Sequence, residues 1–236
     1  MDRDTFNTLL KYLSRLITMF LVLPLHECAH ALVAKWFGDD TAERQGRITL
    51  NPVAHIDPIG GLLMLFTGFG WAKPVPINPL RMKKYRAGIS VTALAGPVSN
   101  LLAALAAAFA FRLMNSSDSG KEAVLDYFFK DSVTPIYSFM VLCFFLVHVN
   151  VGLAVFNLIP LPPLDGFNVL RYFTSEKFDR WFYQHQREIQ YGFLALLILL
   201  SYIPSKYNVL YIAREFIVDN VIWRIVGIDP DTLWIR

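Results

Sequence analysis

The chain has 236 residues, 55% of them hydrophobic and only 17% charged, with a net charge of +3 and a mean hydropathy of +0.41. A composition so apolar excludes an ordinary soluble domain and reads as a polytopic membrane protein. The small net charge and the lack of a dense basic run exclude a nucleic-acid binder, and Cys28 and Cys143 sit in apolar runs where a thiol packs as a small hydrophobe.

Residues 1–15 place Phe6, Leu9, Leu10 and Leu13 at helical spacing among charges and read as an interfacial lead-in. A span is expected over 16–37, since roughly 20 apolar residues cross the hydrocarbon. It is too long for a signal peptide and lacks a small-residue cleavage site, so it reads as permanent. Residues 38–61, "GDDTAERQGRITLNPVAHIDPIGG", are polar and broken by "NP" and "DP" turn signals. The next stretch, "LLMLFTGFGWAKPVPINP", is apolar but dense in Gly, Pro and aromatics. Extended strands or a re-entrant loop are expected there, packed on a polar site because such backbone is not tolerated against lipid.

Further spans are expected over 88–111 and 136–161, with borderline runs at 56–70 and 189–203. The first of these opens on small residues that allow close helix approach, contains Pro97 as a candidate kink, and carries Asn100, a polar side chain that must find a partner inside the bundle. The second breaks up at Pro160, Pro162 and Pro163. Residues 207–228 alternate charges with apolar residues and read as interfacial. Lys73, Arg81, Lys83, Lys84 and Arg86 lie in a segment without acids, whereas 113–134 is rich in acids, which places 73–86 on the cytoplasmic side. Residues 166–188 return to that side after one more crossing. The fold expected is an all-α polytopic membrane protein in one domain, with a three-helix core over about 16–172, further helices over about 186–228, and a small membrane-embedded β-hairpin or re-entrant segment.

Chemistry concentrates in "HECAH". His26 and His30 are four apart, so on a helix both imidazoles can reach one ion, while Glu27 can address a water on it without entering the coordination sphere. Ionisable groups inside a span are costly enough that function is the default reading, against which stands a chance match or two histidines satisfied in a core. A catalytic zinc keeps three protein ligands and one open position, so a third ligand is needed. Candidates in apolar territory are Asp165, His148, His55 and Asp57. Asp165 is favoured because it follows the broken helix of "NLIPLPP", although "DG" is also an ordinary turn pair.

Together "HECAH", "NLIPLPPLDG", "GISVTALAGPVSN", "NPVAHIDPIGG" and "GWAKPVPINP" resemble the site-2 protease family of intramembrane zinc metalloproteases, in its small branch without a PDZ domain, over roughly 20–172. The resemblance implies one catalytic zinc held by His26, His30 and Asp165, Glu27 as the catalytic base, and Asn157 beside the metal, steadying substrate or oxyanion. It implies cleavage within or near transmembrane segments of membrane proteins, in regulated proteolysis or in clearance. His55, Asn100 and His148 are candidates for contacts behind the ligands or with substrate, a role in the turn or behind the ligands being favoured for His55 and a bundle-packing role for His148. Expected partners are transmembrane substrates and the lipid bilayer, with no nucleic acid. A multi-pass protein of a bacterial or archaeal cell membrane is expected, its site nearer the cytoplasm, and the segment around 66–78 would offer a strand edge to an unwound substrate. Readings from other classes are a metal transporter or sensor, disfavoured because the polar residues converge on one locus, and a silent relative, disfavoured by the intact Glu27.

Overall fold

A computed structural model describes residues 3–67, 70–130, 132–202 and 207–233. Helix α1 (Arg3–Ile17) runs through a π-helical turn at Thr18–Val22 into α2 (Leu23–Trp36). The lead-in and the first span are therefore nearly one rod, and a stretch long and apolar enough to cross a membrane begins at Thr8 and ends at Trp36. A short α3 (Thr41–Arg44) and α4 (Pro58–Thr67) follow.

The stretch expected to be extended from Leu62 onward is instead helical as far as Thr67. A side chain at Gly60 would collide with the Trp71 carbonyl, so this glycine serves close approach between α4 and the chain that returns past it, not a bend. Arg15 donates to the carbonyls of Leu65 and Phe66 and satisfies two acceptors at the end of that helix. Among the described residues that follow α4, those from Gly70 to Asn78 lack helix, and a single antiparallel bridge joins Ile56 to Ala72. The described residues contain no strand, so the expected β-hairpin is reduced to that one bridge. Two prolines, Pro74 and Pro76, remove ladder donors from the candidate strand.

The two other spans are α5 (Tyr85–Ser116), continuous through Pro97, and α7 (Pro135–Asn157), connected by α6 (Asp118–Lys130). Helix α7 starts at a Thr134 cap with proline in its first turn and stops three residues short of Pro160. Helix α5 is central, with α2, α7 and the short α8 (Asp165–Leu170) packed against it. Ala104 and Ala108 are wholly buried, which brings the α7 backbone close, as small residues do between helices in a bilayer. Phe111, Met140, Val147 and Val151 fill the same seam.

Beyond α8 come α9 (Glu176–Gln184) and α10 (Gln186–Ser201), the latter carrying the borderline run of 189–203 and shorter than a full span. The last helical stretch, α11 (Val209–Ile217) with a π-helical turn at Val218–Ile222 and α12 (Trp223–Ile225), seats Val218, Ile222 and Trp223 in the α5–α7 core. The tail expected at the interface is thus packed against the bundle through a fully buried tryptophan.

Candidate metal centre

The wall of the site is built by α2, α5 and α8. His26 and His30, on one face of α2, are 6% exposed each, and their Nε2 atoms lie 3.0 Å apart. Asp165 opens α8 and brings Oδ2 to 3.2 Å from His26 Nε2 and 3.4 Å from His30 Nε2. Among the described residues this is the one group of three His, Cys, Asp or Glu side chains whose ligand atoms converge.

The protonation pattern follows from what lies behind each ring. His30 Nδ1 faces the Thr92 carbonyl at 2.7 Å, an acceptor only, so Nδ1 carries the proton and Nε2 presents a lone pair. His26 Nδ1 faces Asn100 Oδ1 at 3.0 Å, which sets the same tautomer. Burial raises the pKa of the Asp165 carboxyl, but hydrogen bonds and positive charge from the two imidazoles outweigh it and hold it at about 2, so Oδ2 is anionic and, without a metal, is met by imidazole protons. A metal cation would take the place of those protons, since both Nδ1 atoms face acceptors behind the rings and the three ligand atoms converge. Such an arrangement calls for a cation. Tetrahedral ligands about 2.0–2.1 Å from one ion lie roughly 3.3–3.4 Å apart, close to the separations seen here.

Gly96 completes the cradle. A Cβ on this α5 residue would fall 2.5 Å from His26 Nε2 and no farther from His30 Nε2, against two of the three ligand atoms. Gly166 serves the third ligand, because a Cβ there would strike the carbonyls of Leu158 and Ile159 that the chain passes before α8. "DG" is thus not merely a turn pair here. Ser90 Oγ lies 3.2 Å from the carbonyls of Asn168 and Val169 and ties α8 to α5. Thr92, Gly96 and Asn100 form one stripe at successive intervals of four residues.

Glu27 is not among the converging atoms. Its Oε2 accepts the Val75 N–H at 3.0 Å, so the extended segment lies directly over the α2 site. His55 is 1% exposed and does not join the ligands. Its Nε2 donates to the Thr49 carbonyl at 2.9 Å and its Nδ1 faces Arg47. His148 bonds the Phe144 carbonyl of its own helix and stacks on Phe144, and the charges about it belong to Glu215, Arg214 and Asp219 of the C-terminal helix. It is a bundle residue. Asp57 caps Ile59 and Gly60 at the start of α4. Asn157 ends α7 with Nδ2 donating to Leu153 at 3.0 Å and forms no hydrogen bond with the three ligands.

Within the segment expected to offer a strand edge, Lys73 N–H is bonded to the His55 carbonyl and Val75 N–H to Glu27, and Pro74 and Pro76 have none, so the main-chain donors from 73 to 76 are already committed.

Residues 14–201, most of the chain, match the profile of Peptidase family M50. The chain belongs to that family. Among the similar proteins is "Putative zinc metalloprotease YwhC" of Bacillus subtilis, 39% identical over 84% of this chain and 85% of its own length. "Putative zinc metalloprotease Rip2" of Mycolicibacterium smegmatis is 28% identical over 75% of this chain and 62% of its own, and the Mycobacterium tuberculosis protein of that name is 30% identical over 63% and 52%. The chain thus spans a little more than half of the mycobacterial relatives. No solved structure matches it. With three helices able to cross a bilayer, this member of the peptidase family is a membrane protein.

Proposed function

We propose that the protein is an intramembrane zinc endopeptidase that hydrolyses peptide bonds within or near transmembrane segments of other membrane proteins, in regulated proteolysis or in clearance. The observation that carries this reading is the convergence of three ligand atoms, His26 Nε2, His30 Nε2 and Asp165 Oδ2, beside a carboxylate, Glu27, that is not one of them. The names of its relatives support the choice of zinc.

A single zinc ion held by these three residues would supply the charge that polarises a peptide carbonyl and lowers the pKa of a water to about 7. Glu27 takes the proton that water gives up and returns it to the departing amine. Because Val75 holds Oε2, the second carboxylate oxygen is the one that receives it. Asn157, at the rim where α7 ends, is placed to meet the substrate once its amide leaves the Leu153 carbonyl. Buried helices on three sides exclude bulk water, which strengthens these interactions. The basic segment 73–86 touches the site through Val75, which supports an opening toward the cytoplasm of a cell membrane, with α4 and the extended segment re-entering from that side.

The test is cleavage of single-span reporters by purified protein. Wild type is expected to cut in a chelator-sensitive manner, and Glu27→Gln to bind zinc normally while cutting at least about a thousandfold more slowly, as expected when proton transfer is lost. Equal cleavage by both forms would remove the assigned chemistry. A second expectation concerns Asn100. Asn100→Ala frees His26 Nδ1 from its orienting partner and should weaken zinc affinity about 10- to 100-fold, read by competition with a chromogenic chelator. An unchanged affinity would show that Asn100 only fills space.

A further inference from the structure

The polar group that the metal centre does not use is Arg47. It is 5% exposed, deeper than an unpaired arginine is normally found, and among the described residues it forms no carboxylate salt bridge. Its guanidinium instead donates to two main-chain carbonyls, Lys73 O at 2.5 Å and Pro74 O at 3.1 Å. His55 Nδ1 lies 3.5 Å behind it, and that ring is itself pinned to Thr49 O. The next residue along the extended segment is Val75, whose N–H sits on Glu27 Oε2. Val75 is anchored on its other face against Ala31 of α2 and Ala42 of α3. Burial presses the pKa of the guanidinium down, and the charge of nearby Glu27 opposes that.

We infer that Arg47 is the positioning residue for Glu27: it clamps the backbone at Lys73 and Pro74 so that the Val75 N–H holds one carboxylate oxygen and leaves the other turned to the water. The inference rests on Glu27 as the proton acceptor. A glutamate has three rotatable side-chain bonds, and a base that samples several rotamers loses the near-attack geometry on which its rate depends. A main-chain donor clamped by a rigid, planar, permanently charged fork is a fixed restraint. Lysine has three donors, but they radiate from one nitrogen on a flexible stem and cannot reproduce the fork that spans the two carbonyls.

The experiment uses the full chain in membranes with single-span reporters, comparing wild type, Arg47→Met, Arg47→Lys and Val75→Pro, the last removing the donor and sparing the clamp. Expected is a fall in kcat of about a hundredfold for Arg47→Met with KM and bound zinc unchanged, a partial return for Arg47→Lys, and a similar fall for Val75→Pro. Independently of activity, hydrogen exchange at the Val75 amide should quicken in Arg47→Met while the α2 and α5 amides keep their protection. Arg47→Met cleaving as fast as wild type, or faster, overturns the inference and would mark the segment as a latch. Unchanged exchange at Val75 also overturns it. Failure of the protease reading is distinguishable, because wild type and Glu27→Gln would then cut alike.

Discussion

Gly96→Ala should leave the protein folded and unable to keep its zinc. Alanine favours a helix over glycine by about 1 kcal/mol, so α5 itself gains from the change. The added methyl nevertheless falls 2.5 Å from His26 Nε2 and no farther from His30 Nε2, against two of the three converging ligand atoms. The neighbours that would have to move are imidazoles fixed by Asn100 and by the Thr92 carbonyl, and they cannot yield without breaking those bonds. Zinc affinity should fall by more than about a hundredfold, beyond what loss of a single partner behind a ligand costs. The check is zinc per chain by elemental analysis after dialysis, reporter cleavage, and far-ultraviolet circular dichroism for helix content. Retention of one zinc with undiminished cleavage would refute the cradle.

Asp165→Asn should lose the metal too, and with it any dependence of stability on zinc. Without metal, the wild-type carboxylate must be met by imidazole protons in a buried site, and a buried charged cluster is costly. An asparagine of the same shape replaces one acceptor by an N–H that can donate to either Nε2. The variant should lose the metal and all cleavage, yet melt at the same temperature with and without chelator. Wild type, by linkage, should lose about 2.7 kcal/mol on chelation when free zinc stands a hundredfold above Kd. Parallel melting scans in detergent with and without chelator read this directly. Chelator-sensitive melting of Asp165→Asn would show that Asp165 is not a ligand.

How far these residues could be read from sequence depended on whether chemistry shows in a letter. His26, Glu27, His30 and Asp165 stand out because ionisable groups are expensive in apolar surroundings. His148 gives the same signal and has a different explanation, since a helix carbonyl one turn back can satisfy an imidazole. Asn100 was expected to need a partner, and only the fold shows the partner to be His26. Thr92 contributes a carbonyl, which every residue has, and Gly96 contributes an absence, which reads as packing. Arg47 looked like one more loop cation, because its partners are main-chain atoms 26 and 27 residues away. The segment over 62–67 was misjudged for a related reason: glycines that admit Trp71 and Met19 look in sequence like helix breakers.

Helix α5 holds no ligand and no base, yet the carbonyl, the gap and the amide it offers at Thr92, Gly96 and Asn100 gauge the site like the teeth of a key. Each added residue turns a helix by about 100°. One insertion between Thr92 and Asn100 would swing the far teeth out of alignment while leaving length, hydropathy and every ligand intact. Variation in this chain should accordingly tolerate insertions in the loops that carry its charges and almost none in the chemically silent helix between them.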